Sequence, residues 1–282
     1  MKKFENVRIL KGIGGLYHVD TPFGIYFCKP KGLFRLENIS PLAGDFVNIE
    51  VTHEQDREAL ITNILPRKNE LVRPRVVNID QAIIVFSAKN PKPNFDLLDR
   101  LTILAERHSL DVTIIFNKLD LGTVNIDIYK KIGYKVILTS VEKNTGIEEL
   151  KEALNNKVSV FCGNSGVGKS SLINAIIGES VQEIGLVSGK GSGKHTTRAS
   201  FLIKLQNGYL VDSPGFSSLK LDFSKEELKL YFKEFQGLGD CKFLDCSHLN
   251  EPGCEVKRNI QNTRYERYKT IYEELKNSER GY

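Results

Sequence analysis

Apolar positions in the first part of the chain alternate with polar ones or form short β-rich runs. These runs lie at residues 7–10, 16–19, 24–28 and 45–51, are separated by glycine and proline turns, and never reach helical length. About five strands in some 65 residues predict a small antiparallel barrel over residues 1–66, most simply of the oligonucleotide-binding (OB) type. An SH3-like barrel fits this pattern equally well. For the strand aromatics Tyr17, Tyr26 and Phe27, core packing is favoured over stacking on nucleic-acid bases.

Beyond a linker predicted at residues 67–75, buried strands alternate with amphipathic helices. Strands are expected at 81–86, 112–116, 135–138 and 158–161. Helices are expected at 97–104, with Asn94 or Asp96 as the N-cap, at 147–154 and at 171–177, with a weaker helix before residue 135. The alternation predicts a doubly wound, mostly parallel sheet with helices on both faces, in a domain over residues 76–220.

The end of the chain is predicted to be helical. Residues 200–211 form a hairpin through an Asn-Gly turn, and a capping box at Ser224 and Glu227 opens a helix to about residue 235. Apolar and aromatic residues recur at helical spacing in the tail, at Tyr265, Tyr268, Ile271, Tyr272 and Leu275. A third domain is expected over residues 221–282.

A glycine-rich stretch between the strand at 158–161 and the following helix has the sequence of a phosphate-binding loop. It reads Gly163-Asn164-Ser165-Gly166-Val167-Gly168-Lys169-Ser170 and is followed by Ser171. Backbone N–H groups of such a loop surround a phosphate, and the helix N-terminus adds positive charge. We expect Lys169 to reach the β- and γ-phosphates of a nucleoside triphosphate and the Ser170 hydroxyl to ligate Mg²⁺.

A second polar motif, Asn117-Lys118-Leu119-Asp120, ends the strand at 112–116. The Asp120 carboxylate accepts hydrogen bonds from guanine N1–H and its amine, whereas adenine presents an acceptor at N1 and leaves the carboxylate unpaired. Asn117 is expected to hold the loop and approach the base from its O6 side. Thr139 and Ser140, at the end of the next strand, fit the loop that backs the base. The predicted ligands are therefore GTP and GDP.

The remaining polar loops fit the γ-phosphate and the magnesium ion. Asp212, which ends the hairpin, is expected to hold a Mg²⁺-bound water, and the N–H of Gly215 is expected to meet the γ-phosphate. Thr196 or Thr197 fits the switch threonine that closes over Mg²⁺. The base-reading motif precedes the phosphate loop, the reverse of the usual order, which indicates a circular permutation that leaves the site intact.

Four metal-ligand residues lie close together near the end of the chain, at Cys241, Cys246, His248 and Cys254. Three thiolates and one imidazole suit a closed, tetrahedral structural zinc site, although free buried cysteines are an alternative. The net charge of +5 alone says little, but Arg67, Lys68, Arg73 and Arg75 form one basic cluster and Lys190, Lys194 and Arg198 another, which favours a partner with a phosphate backbone. Without a long apolar run or a leader, a cytoplasmic protein with no membrane partner is expected.

Together, the motifs at 117–120, 163–171, 193–198 and 212–215 and the Cys/His cluster resemble the circularly permuted, ribosome small-subunit-dependent GTPases of bacteria. The resemblance covers essentially the whole chain. It implies a barrel, a permuted GTPase domain and a zinc-binding tail. It also implies hydrolysis of GTP to GDP, stimulated by the small ribosomal subunit during its late maturation, with barrel and tail contacting ribosomal RNA. The alternatives are a GTP-gated RNA-binding scaffold or a GTPase acting on another RNA, such as the large subunit; a monomer is expected.

Phe216 stands where many GTPases carry the glutamine that orients the attacking water, so another group must do so. His195, in the basic loop next to the switch threonines, is the candidate, and the resemblance implies the same; Lys169 and Gly215 are the other residues expected to be catalytic. The alternative for His195 is a loop histidine that faces solvent or contacts RNA.

Overall fold

The fold is described by a computed structural model for residues 2–32, 34, 40–72, 74–178, 200–212, 221–260 and 262–279, without the side chain of Asp212. The chain divides into two compact units that interleave along the sequence. One consists of Met1–Ile83, Gly146–Cys162 and Lys169–Ser217, and the other of Ile84–Thr145, Gly163–Gly168 and Ser218–Tyr282.

Five strands form a closed barrel at the start of the chain. They are β1 (Lys3–Ile13), β2 (Leu16–Thr21), β3 (Gly24–Pro30), β4 (Phe46–His53) and β5 (Glu58–Ile64). Their order around the barrel is β1-β2-β3-β5-β4, with β3 and β5 parallel and the other adjacent pairs antiparallel. Alternate residues such as Ile9, Val47 and Ile61 are fully buried inside it. This arrangement confirms the predicted five-stranded OB-type barrel.

The segment predicted as a linker contains a small two-stranded antiparallel sheet, formed by β6 (Glu70–Val72) and β7 (Arg75–Val77). Arg67, which precedes β6, fixes this part of the chain to the barrel. Its Nε and Nη2 atoms donate to the two carboxylate oxygens of Asp45 at 2.8 and 2.9 Å. Because the Asp45 side chain is completely buried, its charge requires such a bidentate partner. The polar composition of this segment indicated a linker and gave no sign of the two-stranded sheet.

The predicted parallel sheet is present and has six strands. They are β8 (Gln81–Ser87), β9 (Asp111–Asn117), β10 (Lys135–Leu138), β11 (Lys157–Cys162), β12 (Phe201–Leu205) and β13 (Gly208–Asp212). The order is β10-β9-β8-β11-β13-β12, in which β9 and β10 are parallel, β11 and β13 are parallel, and β12 is an antiparallel edge. Every residue of β8 is buried, as expected of a central strand covered on both faces.

The helices that accompany the sheet begin close to their predicted positions. They are α1 (Phe95–Arg107), α2 (Asp127–Ile132), α3 (Ile147–Leu154) and α4 (Lys169–Ile177). Asn94 is the N-cap of α1, since its side chain accepts from the Leu97 N–H at 3.1 Å. Neither these helices nor any other in the described part of the chain combines the length and apolarity needed to span a bilayer.

The helix predicted to open at Ser224 is wrong in type. The capping box forms, with the Ser224 N–H donating to Glu227 Oε2 at 3.0 Å, but two short 3₁₀ helices follow, at Leu228–Tyr231 and Lys233–Phe235. Between them Phe232 adopts an extended conformation and is completely buried. Burial of this ring in the C-terminal core overrides the local helical signal.

Two helices, α5 (Glu255–Asn259) and α6 (Thr263–Glu279), complete the chain. The predicted helical face of α6 is buried with Leu228 and Phe232, and Tyr268 packs edge-on against Phe232 with ring centroids 5.0 Å apart. This core also surrounds the Cys/His cluster.

Candidate nucleotide site and metal centre

The phosphate loop joins β11 to α4, as its motif requires. Gly163 has a φ of 131°, and a Cβ built there lies 2.1 Å from the Val85 carbonyl oxygen. Only glycine permits this conformation and this approach to the neighbouring backbone. Val167 is buried beneath the loop, whereas Asn164, Ser165 and Gly166 are exposed. Val167 therefore anchors the loop in the protein interior, while the exposed residues 164–166 are accessible to a phosphate.

Asn117 connects the base-reading motif to the phosphate loop. Its side-chain amide donates to the Val167 carbonyl at 3.1 Å and its oxygen accepts from the Thr139 hydroxyl at 3.1 Å. Asn117 is only 2% exposed, so both hydrogen bonds are protected from water. A Cβ at Gly168 meets the Asn117 amide nitrogen at 2.4 Å, so the hydrogen bond to the loop depends on a glycine there.

Lys118 holds the same loop from a second direction. Its backbone is left-handed, with a φ of 62°, and its ammonium group donates to the carbonyls of Gly166 at 2.6 Å and Asn90 at 2.7 Å. The lysine of this motif therefore acts on the shape of the phosphate loop. The sequence placed Lys118 in the site without indicating these two acceptors.

Asp120 lies in a short 3₁₀ helix, Leu119–Leu121, directly after β9. The Ser140 hydroxyl donates to Asp120 Oδ1 at 2.5 Å, and this hydrogen bond lowers the pKa of the Asp120 carboxyl below its ordinary value. The Leu119 N–H also donates to the Thr139 carbonyl at 3.2 Å. The chain segments after β9 and β10 thus hold the Asp120 carboxylate ionised and in a fixed orientation. Such a carboxylate is the acceptor that guanine requires.

Lys169, Ser170 and Ser171 form the first turn of α4, where backbone N–H groups have no helical partner. Burial lowers the pKa of the Lys169 ammonium because it disfavours the charged form. The negative charge of a bound phosphate would offset this effect. Ser170 is exposed and offers an oxygen donor of the type that Mg²⁺ takes. Asp212 ends β13 and pairs with Phe201. His195, Thr196, Thr197 and Gly215 lie outside the described residues, as do Arg73, Lys190, Lys194 and Arg198.

The three cysteines and the histidine of the C-terminal region surround one point. One ligand atom from each residue lies within 4.8 Å of all the others, and His248 Nδ1 is 3.6 Å from Cys241 Sγ and 3.5 Å from Cys254 Sγ. A tetrahedral zinc site with bonds of about 2.0–2.3 Å has edges of roughly 3.5–3.8 Å between its ligands. The donor set and the two distances to His248 therefore fit a four-coordinate zinc ion.

Backbone donors support the sulfur atoms of this cluster. The Glu255 N–H donates to Cys241 Sγ at 3.4 Å and the Lys257 N–H to Cys254 Sγ at 3.3 Å. Burial alone raises the pKa of the Cys241 thiol, but N–H groups at Glu255 and Val256 bring it below its ordinary value. Burial raises the pKa of Cys246 to about 12. The N–H groups that donate to Cys241 stabilise the thiolate that a metal needs, whereas burial of Cys246 disfavours its thiolate.

Residues outside the motif orient the cluster. The hydroxyls of Tyr265 and Tyr268 donate to the carbonyls of His248 at 2.7 Å and Ser247 at 2.6 Å. Glu251 accepts from the Ser247 and Leu249 N–H groups at 2.7 and 3.0 Å. The helical spacing of the tyrosines marked them as core residues, and nothing in the sequence marked Glu251.

Several basic side chains of the protein are paired with acids, including two of the first basic cluster. Arg264 is completely buried and binds Asp99 and Glu234, and Arg267 also donates to Asp99. In the first basic cluster, Arg67 binds Asp45, and Lys68 Nζ lies 3.4 Å from Asp80. Arg67 and Arg264 are therefore structural residues, whereas Lys68 and Arg75 of the first cluster have side chains that are 58% and 65% exposed.

The base-reading motif at 117–120 holds the phosphate loop and precedes it in the chain. This combination defines a circularly permuted GTP-binding domain. Here that domain follows a barrel and precedes a Cys₃His cluster. The chain belongs to the RsgA GTPase family: the family's GTPase model matches residues 64–222, and its N-terminal domain model matches residues 8–61. The resemblance drawn from the sequence is confirmed, and the chain is a GTP-hydrolysing enzyme.

Similar proteins support this assignment over nearly the whole length. The small ribosomal subunit biogenesis GTPase RsgA of Alkaliphilus metalliredigens is 45% identical, covering 97% of this chain and 98% of that protein. The protein of the same name from Caldanaerobacter subterraneus subsp. tengcongensis is 44% identical, covering 97% and 96%. The crystal structure of YjeQ from Thermotoga maritima superposes with a TM-score of 0.81 at 35% identity, covering 97% of this chain and 99% of that one. YloQ, described as a circularly permuted GTPase, gives 0.81 at 33%, covering 98% and 96%.

Proposed function

We propose that this GTPase acts in the biogenesis of the small ribosomal subunit and that the subunit stimulates its hydrolysis of GTP. The observation that carries the nucleotide choice is the ionised Asp120 carboxylate, fixed by Ser140 and connected to the phosphate loop through Asn117. The names of relatives at 44–45% identity support the ribosomal partner. GTP binding, a check or remodelling of the subunit, hydrolysis and release then form one cycle.

The nucleotide site is assigned residue by residue. The N–H groups of residues 163–168 and the Lys169 ammonium bind the β- and γ-phosphates, and residues 117–120 with Thr139 and Ser140 bind guanine. Ser170, Thr197 or Thr196, and Asp212 through a water would hold Mg²⁺, which would neutralise charge on the phosphate oxygens. Gly215 donates to the γ-phosphate. His195 orients the attacking water, because Phe216 has no group for that role.

The Cys₃His cluster binds one structural zinc ion, and the barrel and C-terminal region contact ribosomal RNA. The division into a barrel at 1–66, a linker at 67–75, a GTPase domain at 76–220 and a zinc domain at 221–282 is part of this proposal. So are a cytoplasmic location and a monomeric state. The closed ligand set, with no open coordination position, supports a structural role for the zinc ion.

The test is the rate of GTP hydrolysis by the full chain with and without purified small subunits. Small subunits should raise the rate many-fold, whereas large subunits should not. Co-sedimentation on a sucrose gradient with a non-hydrolysable GTP analogue should place the protein with the small subunit. Equal stimulation by both subunits, or by neither, would exclude the proposed role.

A further inference from the structure

The central strand β8 ends at a serine whose side chain is tied to the turn that follows. Ser87 is completely buried, and its hydroxyl donates to the carbonyl of Pro91 at 2.6 Å. Residues 89–92 are exposed, whereas Ser87 and Ala88 are buried. We call residues 88–91 the support turn. The Ser87 hydroxyl is therefore a buried anchor for a turn that is otherwise largely exposed.

The support turn lies between the two main loops of the nucleotide site. In the sheet β8 has β9 and β11 as its neighbours, and these strands lead into the base-reading motif and the phosphate loop. The Asn90 carbonyl accepts from Lys118 Nζ at 2.7 Å, and the Pro91 ring is 3.9 Å from the position of a Cβ built on Gly166. The turn therefore contacts the base-reading motif and lies against the phosphate loop.

The Lys118 ammonium depends on the support turn for one of its two acceptors. It donates to the Asn90 carbonyl and, at 2.6 Å, to the Gly166 carbonyl. Hydrogen bonds from an ammonium group are stronger than neutral ones, and two acceptors on different loops fix its position. Asn90 has a left-handed backbone, with a φ of 52°, which is an unfavourable conformation for an L-residue. Such a turn needs tertiary support, and the Ser87 hydrogen bond supplies it.

The two side chains that hold the phosphate loop also orient its N–H groups. A trans peptide group is planar, so its C=O and N–H bonds point in opposite directions. Lys118 binds the Gly166 carbonyl and therefore directs the Val167 N–H away from its own ammonium group. Asn117 binds the Val167 carbonyl at 3.1 Å and directs the Gly168 N–H in the same way. These are two of the N–H groups with which such a loop surrounds phosphates.

We propose that Ser87 is a positioning residue for nucleotide binding. Its hydroxyl holds the support turn, the turn holds Lys118, and Lys118 orients the Val167 N–H of the phosphate loop. Because Ser87 is completely buried, it acts through these groups rather than by contact with the ligand. The inference goes beyond the proposed function. It rests on the assignment of residues 163–168 to the phosphates and is independent of the ribosomal partner.

The test exchanges Ser87 for two residues of nearly the same shape, of which only one carries a hydroxyl. Titration of the full chain into N-methylanthraniloyl-labelled GTP and GDP measures the dissociation constants of Ser87→Thr and Ser87→Val. Ser87→Val should weaken both nucleotides about three- to tenfold, the effect of one lost hydrogen bond. Ser87→Thr should bind both clearly more tightly than Ser87→Val. GDP is affected like GTP because the loop also surrounds the phosphates that GDP retains.

A second pair of variants removes a hydroxyl without adding bulk. Ser87→Ala should weaken both nucleotides, whereas Ser159→Ala should leave both affinities unchanged. Ser159 of β11 is also completely buried, but its hydroxyl accepts from Gln81 Nε2 at 2.8 Å, at the start of β8 rather than at its end. Equal losses in the two alanine variants would overturn the proposal. So would equal dissociation constants for Ser87→Thr and Ser87→Val, even if urea unfolding without nucleotide showed that Ser87→Val is less stable.

The route through Lys118 is tested by a double-mutant cycle. Ser87→Ala should cause no further loss of affinity when it is combined with Lys118→Met, because the ammonium on which it acts is already absent. Fully additive losses would exclude this route. Wild-type affinity in Lys118→Met would instead contradict the assignment of the phosphate loop itself. All these measurements use the free chain and nucleotide, so a lack of stimulation by small subunits would contradict the proposed function and leave the role of Ser87 intact.

Discussion

Arg264 of α6 and Asp99 of α1 form an ion pair in which both side chains are completely buried, with Arg264 Nη1 at 2.5 Å from Asp99 Oδ1. Glu234 accepts from the same guanidinium at 2.6 Å, and the Tyr129 hydroxyl donates to the same carboxylate at 2.8 Å. Buried charges of this kind are tolerated only while each has its partners. The pair therefore fixes the C-terminal helix to the first helix of the sheet region.

Removal of one member of this pair should be strongly destabilising. Asp99→Asn leaves the Arg264 charge buried without its main counter-ion, and we expect a loss of about 3–5 kcal/mol in the free energy of unfolding. Urea unfolding followed by tyrosine fluorescence and circular dichroism measures it. The control is Glu274→Gln, which removes the partly exposed ion pair with Arg100 and should cost less than about 1 kcal/mol. Equal losses in the two variants would contradict the importance of burial.

The phosphate loop depends on a glycine whose Cβ would collide with Asn117. Gly168→Ala forces the Asn117 amide away from Val167, because the added carbon lies 2.4 Å from the amide nitrogen. We expect GTP affinity to fall by tenfold or more, measured by titration calorimetry. Gly178→Ala is a matched control, since Gly178 also has a positive φ, of 63°, but open space around its Cβ position. A similar loss in the control would assign the effect to backbone strain.

The Asp120 carboxylate should determine which base the nucleotide site selects. Asp120→Asn exchanges an acceptor for an amide, so GTP should bind at least tenfold more weakly and xanthosine triphosphate should bind better than GTP. Competition binding with both nucleotides provides the measurement. Asp127→Asn, at the start of α2, serves as a carboxylate control and should leave both affinities unchanged. Unaltered preference in Asp120→Asn would mean that another group reads the base.

Local patterns predicted the strands, the phosphate loop and the N-cap at Asn94, because those features depend on nearby residues. Pattern alone could not assign Arg264 a structural role, since its partner Asp99 lies 165 residues earlier in the chain. It also predicted a helix after Ser224, where burial of Phe232 imposes an extended residue instead. Where the prediction from sequence was wrong, packing against residues distant in the chain outweighed the local helical preference.

Loss of one cysteine of the cluster should release the metal and loosen the region around it. Cys246→Ser should lower the zinc content from about one ion per chain toward zero, because a structural site binds through all its ligands. Hydrogen exchange should increase over residues 221–279, while GTP affinity should change little. Cys28→Ser, at a buried barrel cysteine outside the cluster, should retain the zinc. Full zinc content in Cys246→Ser would exclude this residue as a ligand.

The Asp20 carboxylate connects the barrel to the β12–β13 hairpin. Asp20 of β2 is mostly buried and accepts from Lys204 Nζ at 2.8 Å and from the Tyr209 hydroxyl at 2.7 Å. Burial and this hydrogen bond raise the pKa of Tyr209 to about 12, so the hydroxyl remains a donor throughout the neutral range. Arg8 of β1 also lies over the Tyr209 ring, 5.2 Å from its centroid.

Asp20→Asn should therefore loosen the hairpin, because it removes the charge that both donors share and leaves their hydrogen bonds weaker. We expect faster hydrogen exchange at residues 201–212, which include Asp212 at the end of β13, and no change in the zinc region. Tyr209→Phe should produce a smaller effect in the same residues, since Lys204 still pairs with Asp20. Tyr17→Phe, in the same barrel, is the control and should leave the hairpin unchanged. Unaltered exchange at 201–212 in Asp20→Asn would show that apolar contacts alone hold the hairpin to the barrel.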